Sequence, residues 1–313
     1  MDRAARRNVM KLDLIHITTH SEEIFYRLRW GECIHCPECG SVHIYNPEAG
    51  QLHICADCDH RFSDTSGTAF HSTKLPLAKW LIAIYMFCTQ SKGISSYNLA
   101  RMISVSQPTA WRMLTILRLN IQHDLQLTDV TLLDELYLGP QYKWKPYHKK
   151  HKIPKEEQSK YTYQELKMIR YKEAAKDKFP ILGIYSGSLS LHILPNPVTR
   201  SAIYDVLTRE YNIGSTSTIV TDQSTLYDGL DEEFGLIREV CNHGKHIYRS
   251  KNGYSSNRLE GAFSHIRRMF HGIYNRCSFK YLQQYLNEFL MRYNWRNVPV
   301  HQRICDFFPM LIS

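Results

Sequence analysis

The pattern of apolar and polar residues predicts four strands from residue 130 onward, at 130–139, 179–186, 189–197 and 217–223. Each run is short, rich in β-branched or aromatic residues and bounded by turn-forming residues, as buried strands are. Ser186-Gly187-Ser188 separates the second run from the third and predicts a hairpin. The alternation of the first run, VTLLDELYLG, ends in Asp134-Glu135, and the last run, STIVTDQ, predicts a strand that ends in Asp222.

Helical periodicity is typical of the segments around these strands. Residues 199–212 predict a crossover helix, and YLQQYLNEFLMRYNWR predicts a core helix near the C-terminus. The stretch SSNRLEGAFSHIRRMF, residues 255–270, divides at about 100° per residue into two faces. Its apolar face carries Leu259, Ala262, Phe263, Ile266, Met269 and Phe270, and its polar face carries Asn257, Glu260, Gly261, Ser264, Arg267 and Arg268. The helix therefore packs on a core and presents one acid among arginines.

The order of these elements indicates that three acidic side chains could converge on one site. Asp134 and Asp222 are delivered by strands, and Glu260 by a helix packed across them. Three such carboxylates can hold two Mg²⁺ or Mn²⁺ ions that promote phosphodiester exchange, and hard oxygen ligands are what Mg²⁺ prefers. Each acid alone would be interpreted as a surface carboxylate or a helix cap. The sequence contains no phosphate loop of the G-x-x-x-x-G-K-[ST] type, so no nucleotide cofactor is indicated.

Residues 75–123 predict a helical module. LPLAKWLIAIYMFCTQ is typical of a buried helix, and SSYNLARMISVSQPTAWRMLTILRLNIQ predicts a helix, a turn and a second helix that opens at Gln107-Pro108-Thr109. In a helix-turn-helix the second helix would present Gln107, Thr109 and Arg112, and further along Arg118, to a major groove. The alternative is a three-helix bundle that makes no contact with DNA.

The cysteines indicate a metal site. Cys36 and Cys39 form one C-x2-C pair, Cys55 and Cys58 form another, and fifteen residues separate the pairs. Two such turns at the tips of neighbouring hairpins complete the tetrahedral site of structural Zn²⁺. Four unrelated cysteines or a redox dithiol are the alternatives. Cys33 and His35 stand close by as alternative ligands.

Charge favours an acidic partner. The chain of 313 residues carries 39 Lys and Arg against 30 Asp and Glu, for a net charge of +9. The segment from Gln141 to Lys178 contains twelve basic and five acidic residues. We call the surrounding segment 139–179 the basic insert, and it includes Lys149, Lys150 and Lys152. Such a surface suits a phosphate backbone, and a solvated loop is the alternative. The N-terminus has no signal-peptide pattern and the longest apolar run is far short of a membrane span, so we expect a cytoplasmic, nucleoid-associated protein.

The chain resembles the DDE-type transposases of bacterial insertion sequences that carry an N-terminal zinc ribbon, related to eukaryotic Merlin elements. The resemblance rests on CPECGS…CADCDHRFSDTSGTAFHSTKLPLAKW, on the strands VTLLDELYLG and VTD, and on NRLEGAFSHIRRMFHGIYN…YLNEFLMRYNWR. It implies a ribonuclease-H-like catalytic domain, Mg²⁺-dependent cleavage at terminal inverted repeats and transfer of 3′-hydroxyl ends into target DNA.

The resemblance also assigns residues. Asp134 and Asp222 take the two aspartate positions, and Glu260 takes the glutamate of the N-x-x-E motif, with Asn257 as the other candidate for the third position. The family has a lysine seven residues after that glutamate, and here Arg267 stands there. Arginine can grip a phosphate bidentately but cannot act as a proton donor.

The sequence thus predicts an α+β multidomain protein. The expected parts are an N-terminal helical lead (1–30), a zinc ribbon (31–72), a helix-turn-helix-like module (73–128) and a ribonuclease-H-like α/β domain with a mixed sheet (129–313) that contains the basic insert (139–179). The expected function is a transposase acting on double-stranded DNA as a homo-oligomer on paired ends, with Arg267 and Arg268 holding phosphates. The alternatives are a domesticated, catalytically silent DNA-binding regulator and a nuclease that cleaves without joining ends.

Overall fold

The computed structural model of the chain describes residues 14–123, 125–139, 162, 178–211, 216–241, 250, 252–274 and 277–312. The chain divides into two compact units, one formed by Met1–Gln122 with Trp295–Ser313 and the other by His123–Asn294. None of the described helices has the length and apolar character needed to cross a membrane.

The first unit begins with two helices and a small sheet. Helices α1 (Leu14–Thr19) and α2 (Ser21–Trp30) precede the strands β1 (Ile44–Tyr45), β2 (His53–Cys55) and β3 (Arg61–Phe62), which pair antiparallel in that order. Phe62 packs with Trp30, Ile34 and two cysteines in a small buried cluster. The large core residues that so small a sheet lacks are therefore supplied by the end of α2.

A buried carboxylate connects α2 to the sheet. Asp64 is 4% exposed and accepts hydrogen bonds from Trp30 Nε1 at 2.8 Å and from the Gly50 amide at 2.8 Å. His53, fully buried on β2, approaches the same carboxylate through Nε2 at 3.1 Å. Three partners from separate segments therefore converge on one side chain and fix the orientation of the sheet.

Three helices follow where the sequence predicts them. They are α3 (Leu77–Thr89), α4 (Ser96–Ile103) and α5 (Gln107–Leu119). The side chain of Ser95 caps α4, the side chain of Ser106 caps α5, and Pro108 lies in the first turn of α5, where the missing N–H costs no intrahelical bond. Ser104 adopts a left-handed conformation with φ 51°, which ends α4 and begins the turn. The predicted helix, turn and second helix are confirmed as structural elements.

The second unit contains a five-stranded mixed sheet. Its strands are β4 (Val130–Leu138), β5 (Phe179–Ser186), β6 (Ser188–Ile193), β7 (Thr218–Thr221) and β8 (Ile237–Val240), in the spatial order β6-β5-β4-β7-β8. The β4–β5 and β5–β6 pairs are antiparallel, whereas β4–β7 and β7–β8 are parallel. The hairpin turns at Gly187, with φ 76°, as expected.

Helices cover both faces of this sheet. They are α6 (Arg200–Glu210), α7 (Leu230–Phe234), α8 (Asn257–Gly272) and α9 (Phe279–Asn294), and a short 3₁₀ helix (Thr225–Tyr227) precedes α7. One core joins Leu132 and Leu136 of β4 to α8 and α9, and the other joins Leu133 to α6 and Leu230. The alternation along β4 thus sends neighbouring residues into opposite cores.

Helix α8 packs closely against the centre of the sheet. Its buried residues are the six on the predicted apolar face, Leu259, Ala262, Phe263, Ile266, Met269 and Phe270. Gly183 of β5, the ladder partner of Asp134, lies directly under the helix: a Cβ at that position would meet the Phe263 ring at 2.7 Å. The absence of a side chain at Gly183 therefore permits the close approach of α8 beside Asp134.

Helix α9 contains a buried ion pair that the apolar pattern does not predict. Glu288 is 0% exposed and its carboxylate lies 2.6 Å from the Arg292 guanidinium. The Tyr274 hydroxyl donates a hydrogen bond of 2.6 Å to the same carboxylate. The charge of each partner is compensated inside the protein.

A final helix, α10 (Val300–Ile312), returns to the first unit. Phe308 lies against Phe25 of α2 with ring centroids 5.2 Å apart, and against Phe70 at 6.2 Å. The predicted range 129–313 includes this segment, whereas Phe308 contacts Phe25 and Phe70 of the first unit. The predicted domain boundaries themselves remain a prediction.

Candidate active site and metal centres

Two carboxylates meet where β4 and β7 separate. The parallel register ends with Leu132 opposite Val220, and Asp134 and Asp222 each lie two residues further on, so they are level with each other. Asp134 Oδ1 accepts the Glu135 amide at 2.8 Å, and Asp222 Oδ1 accepts the Ser224 amide at 2.8 Å. One oxygen of each carboxylate is thus anchored by the backbone, which orients the other.

The position of Asp134 differs from the expectation. The predicted strand is confirmed within one residue, but Asp134 is the fifth residue of β4 and not its end, where the alternation predicts it. The strand continues past Asp134 because β5 pairs with it as far as Leu138↔Phe179. Asp222 follows β7 directly, as predicted.

Glu135 joins the two aspartates. Oxygens of Asp134, Glu135 and Asp222 all lie within 4.8 Å of one another, although Asp134 and Glu135 are consecutive residues of one strand. Burial raises the pKa of Glu135 to about 7; the nearby Tyr227 hydroxyl lowers this pKa in part, and the negative charges of Asp222 and Asp134 raise it further. Glu135 was visible in the sequence as the neighbour of Asp134, but strict alternation placed its side chain on the other face of the sheet.

Tyr227 lies beside this cluster and was not expected from the sequence. Its side chain is 0% exposed, and its pKa is raised well above the ordinary value by burial and then by the nearby Glu135. The hydroxyl of Tyr227 and Oε1 of Glu135 are both buried and lie near each other, but among the described residues neither has a partner in good hydrogen-bond geometry. Two buried polar atoms therefore remain unsatisfied next to the two aspartates.

Arg238 of β8 holds the loop that carries Asp222 and Tyr227. Its guanidinium donates to the backbone oxygen of Ser224 at 3.2 Å and forms an ion pair of 2.7 Å with Asp228. Its Nε also donates to Thr221 Oγ1 at 3.1 Å. The loop after β7 is therefore fixed at both ends by one side chain.

Glu260 lies outside the group of three. It is exposed on the first turn of α8, and the Ser256 hydroxyl donates a hydrogen bond of 3.4 Å to its Oε1. Asn257 is the first residue of the helix and is also exposed. Leu259 and Phe263, on the same turn, lie over Gly183, the ladder partner of Asp134. The beginning of α8, which carries Glu260, therefore packs over β5 beside the ladder partner of Asp134.

Arg267 and Arg268 are exposed on α8, as the predicted polar face requires. Arg267 lines a cavity of about 200 Å³ together with Tyr137, Phe270 and Tyr274. At 1.5 Å per residue, Arg267 lies about 10 Å along the helix axis from Glu260. The basic side chains therefore follow the acid along one helix face.

The four cysteines form a second candidate centre. Cys36 and Cys58 have sulfurs 3.7 Å apart, and Cys39 and Cys55 have sulfurs 3.5 Å apart. A tetrahedron with Zn–S bonds of about 2.3 Å has edges of about 3.8 Å, whereas a disulfide measures about 2.05 Å. The donor set and its spacing therefore fit Zn²⁺.

Both cysteine turns have the same backbone design. The Gly40 amide donates to the Cys36 carbonyl at 2.9 Å, and the Asp59 amide donates to the Cys55 carbonyl at 3.1 Å. Gly40 and Asp59 both have positive φ. Cys33 and His35 were alternative ligands, but the group of four sulfurs does not include them.

The predicted DNA-facing residues of α5 differ in exposure. Arg112 is exposed, Thr109 is half-buried and contacts the capping Ser106, and the Gln107 amide donates to Ser96 at 2.7 Å. Arg118 is 1% exposed, so the expectation that it faces DNA is wrong: it lies on the core side of α5. Lys149, Lys150 and Lys152 lie outside the described residues.

Comparison with known proteins agrees with this arrangement. Residues 126–294, more than half of the chain, match the ISXO2-like transposase domain family. A stretch of 233 residues is 26% identical to an uncharacterized protein in transposable element ISH50 of Halobacterium salinarum, covering 71% of this chain and 73% of the relative.

A solved structure gives a weaker match. It is a chain in the structure of the simian T-cell lymphotropic virus intasome in complex with PP2A regulatory subunit B56 gamma. The two chains are 11% identical, the match covers 68% of this chain and 65% of that chain, and the TM-score is 0.29. A TM-score this low establishes no shared fold.

The matched segment contains the whole mixed sheet, both aspartates and α8. The chain is therefore an insertion-sequence transposase of the DDE type, a protein of a mobile element. It belongs to the ISXO2-like transposase family.

Proposed function

We propose that this transposase binds the terminal inverted repeats of its insertion sequence, cleaves the DNA there and transfers the 3′-hydroxyl ends into target DNA. The observation that carries the proposal is the convergence of Asp134 and Asp222 from neighbouring parallel strands, inside the segment that matches the transposase family.

In this proposal Asp134 and Asp222 hold divalent metal, and Glu260 contributes the third carboxylate from α8. The site fits Mg²⁺ or Mn²⁺ because its donors are carboxylate oxygens and because the buried Glu135 Oε1 lacks a partner beside them. A bound pair of such ions activates water or a 3′-hydroxyl and stabilises the leaving oxygen. Asn257 is the other candidate for the third position.

The arginines of α8 position the DNA. Arg267 and Arg268 are exposed on the polar side of the helix that also carries Glu260, so they would bind DNA phosphates beside the scissile bond. Arginine suits this role because its planar guanidinium matches the phosphate oxygens in a bidentate contact. The basic insert, with Lys149, Lys150 and Lys152, would extend the same surface.

We assign DNA recognition to the N-terminal modules. The four cysteines would hold structural Zn²⁺, and α4 and α5 would act as a helix-turn-helix with Arg112, Thr109 and Gln107 at the DNA. The mixed sheet with helices on both faces supports a ribonuclease-H-like catalytic domain. Assembly as a homo-oligomer on paired ends and a nucleoid location belong to the same proposal.

The test uses oligonucleotides that carry the flanking inverted repeat of the gene. The wild-type chain should nick or join them only with Mg²⁺ or Mn²⁺. Asp134→Ala and Glu260→Ala should lower the rate at least about 100-fold, because a lost metal ligand removes several kcal/mol of transition-state stabilisation. Gel-shift binding should persist in both variants.

The matched control is Glu232→Gln, a change at an exposed carboxylate of α7. Its cleavage rate should equal that of the wild type. Full activity in Asp134→Ala and Glu260→Ala would refute the catalytic assignment. Binding without cleavage by the wild type would instead indicate a DNA-binding regulator.

A further inference from the structure

We propose that Glu135 is a direct ligand of the divalent metal held by Asp134 and Asp222, so that the strands alone complete one ion site without Glu260. This inference rests on the proposed function and assigns a carboxylate that the family resemblance does not.

The first support is the position of Glu135. Its backbone pairs with Leu182 of β5 and its neighbour Leu133 points into the core under α6, so the side chain leaves the sheet on the face opposite Asp134. Even so, the carboxylate oxygens of Glu135, Asp134 and Asp222 lie within 4.8 Å of one another. They meet because Asp222 lies beyond the last β4–β7 pair, where side chains from both faces reach the same space.

The second support is the lack of good hydrogen bonds at the cluster. Oε1 of Glu135 and the hydroxyl of the fully buried Tyr227 lie near each other, but neither has a partner in good hydrogen-bond geometry among the described residues. Leaving a buried polar atom unsatisfied destabilises a folded protein, and a charged group does so more strongly. Such atoms in a native protein call for an explanation, and an ion that binds there is one. A divalent cation would coordinate Oε1 and offset the repulsion among three carboxylates.

The geometry also indicates different roles for Glu135 and Glu260. The carboxylate of Glu260 is exposed and lies outside the group of three oxygens, whereas that of Glu135 lies inside it. If the strand carboxylates form one complete site, its occupancy depends on Glu135 and hardly on Glu260. Glu260 then serves the second ion of the pair, and its loss affects chemistry more than binding of the first ion.

Metal binding can be measured without DNA and without activity. Free Mn²⁺ gives an electron paramagnetic resonance signal that disappears on binding, so titration of the full-length, zinc-loaded chain counts sites and gives their dissociation constants. Glu135→Gln keeps the size of the side chain and removes its charge. We expect it to weaken the tighter site at least about tenfold, since even outer-shell partners contribute 10–100-fold to metal affinity.

Two variants serve as controls. Glu232→Gln removes one exposed negative charge from the same unit and should leave the tighter site unchanged, and Glu260→Gln should change it less than threefold (about half of a tenfold effect on a logarithmic scale). Circular dichroism shows whether Glu135→Gln is folded. Glu135→Asp is the second variant, because it keeps the charge but shortens the reach and should weaken the site by a smaller factor.

The outcomes separate this inference from the proposed function. Loss of affinity in Glu135→Gln with retention in Glu260→Gln supports the inference. Wild-type affinity in both Glu135→Gln and Glu135→Asp, with loss in Asp134→Asn, overturns the inference and leaves the proposed function standing. If the wild type binds no Mn²⁺ at millimolar concentration, the metal site itself is wrong and both fall.

Discussion

Replacing Gly183 by alanine should loosen the packing of α8 on the sheet. A Cβ at this position would lie 2.7 Å from Cε1 and Cζ of Phe263 and 3.2 Å from Cδ2 of Leu259. Ordinary contact begins at 3.4 Å, so the ring would have to retreat by about 0.7 Å. Phe263 is only 3% exposed and Leu259 is 0% exposed, so neither has open space to move into.

The expected loss of stability follows from two opposing effects. An extra methyl group in a packed core costs about 1–3 kcal/mol, whereas the change from glycine to alanine stabilises by about 0.4–1 kcal/mol through the unfolded chain. The net free energy of unfolding should fall by about 1–2 kcal/mol. For a unit of this size that corresponds to about 2–8 °C in melting temperature, measured by circular dichroism or urea unfolding.

Gly261 provides the matched control. It lies within α8, is exposed, and an added Cβ would meet no atom within 4 Å. Gly261→Ala should therefore raise the stability by about 0.5–1 kcal/mol, because alanine favours a helix interior over glycine. The two substitutions are chemically identical and should act with opposite sign. A Gly183→Ala variant as stable as Gly261→Ala would refute the packing argument.

Three further predictions concern the zinc site, a buried ion pair and a histidine. We expect mass spectrometry to find zinc in the wild type and not in the double variant Cys36→Ser/Cys55→Ser; unchanged zinc in the variant would contradict the four-cysteine site. Glu288→Ala should lower the free energy of unfolding in urea by about 3–5 kcal/mol, because it leaves the buried Arg292 guanidinium without that carboxylate; a loss below about 1 kcal/mol would count against the pair. Burial lowers the pKa of His192, so its ring should titrate by nuclear magnetic resonance below the usual 6.5, and the stability it contributes above that pH should fall as the pH drops through its folded pKa. A titration midpoint of His192 above pH 6.5 would contradict this prediction, because protonation of the ring would then stabilise the folded protein.

Four of the eight described strands and most of the longer helices were predictable because their patterns are long and regular, whereas α7 and α10 were not predicted. The apolar face of α8 matches the structure residue for residue, since a helix that packs on one side shows its period over four turns. Strand β8 was missed because it is four residues long and carries Arg238 and Glu239. Such a short edge strand is specified by its pairing with β7, which local sequence does not encode.

The site was predictable in part. Asp134 and Asp222 were identified from their strands, and the four cysteines from their spacing. Glu135 was not identified as a member of the carboxylate group, because alternation assigns consecutive residues to opposite faces and says nothing of where two strands separate. The same limit applies to Glu288: a polar residue on a helix is expected at the surface unless its partner is known.

The measurement that tests the central claim most directly is DNA cleavage by Asp222→Asn beside Asp205→Asn. Asp205 lies on α6, where its carboxylate is 59% exposed and pairs with Arg209. On an inverted-repeat oligonucleotide with Mg²⁺, Asp205→Asn should cleave at the wild-type rate. Asp222→Asn should bind the DNA equally well and cleave at least about 100-fold more slowly. Cleavage by Asp222→Asn at the wild-type rate would contradict the account.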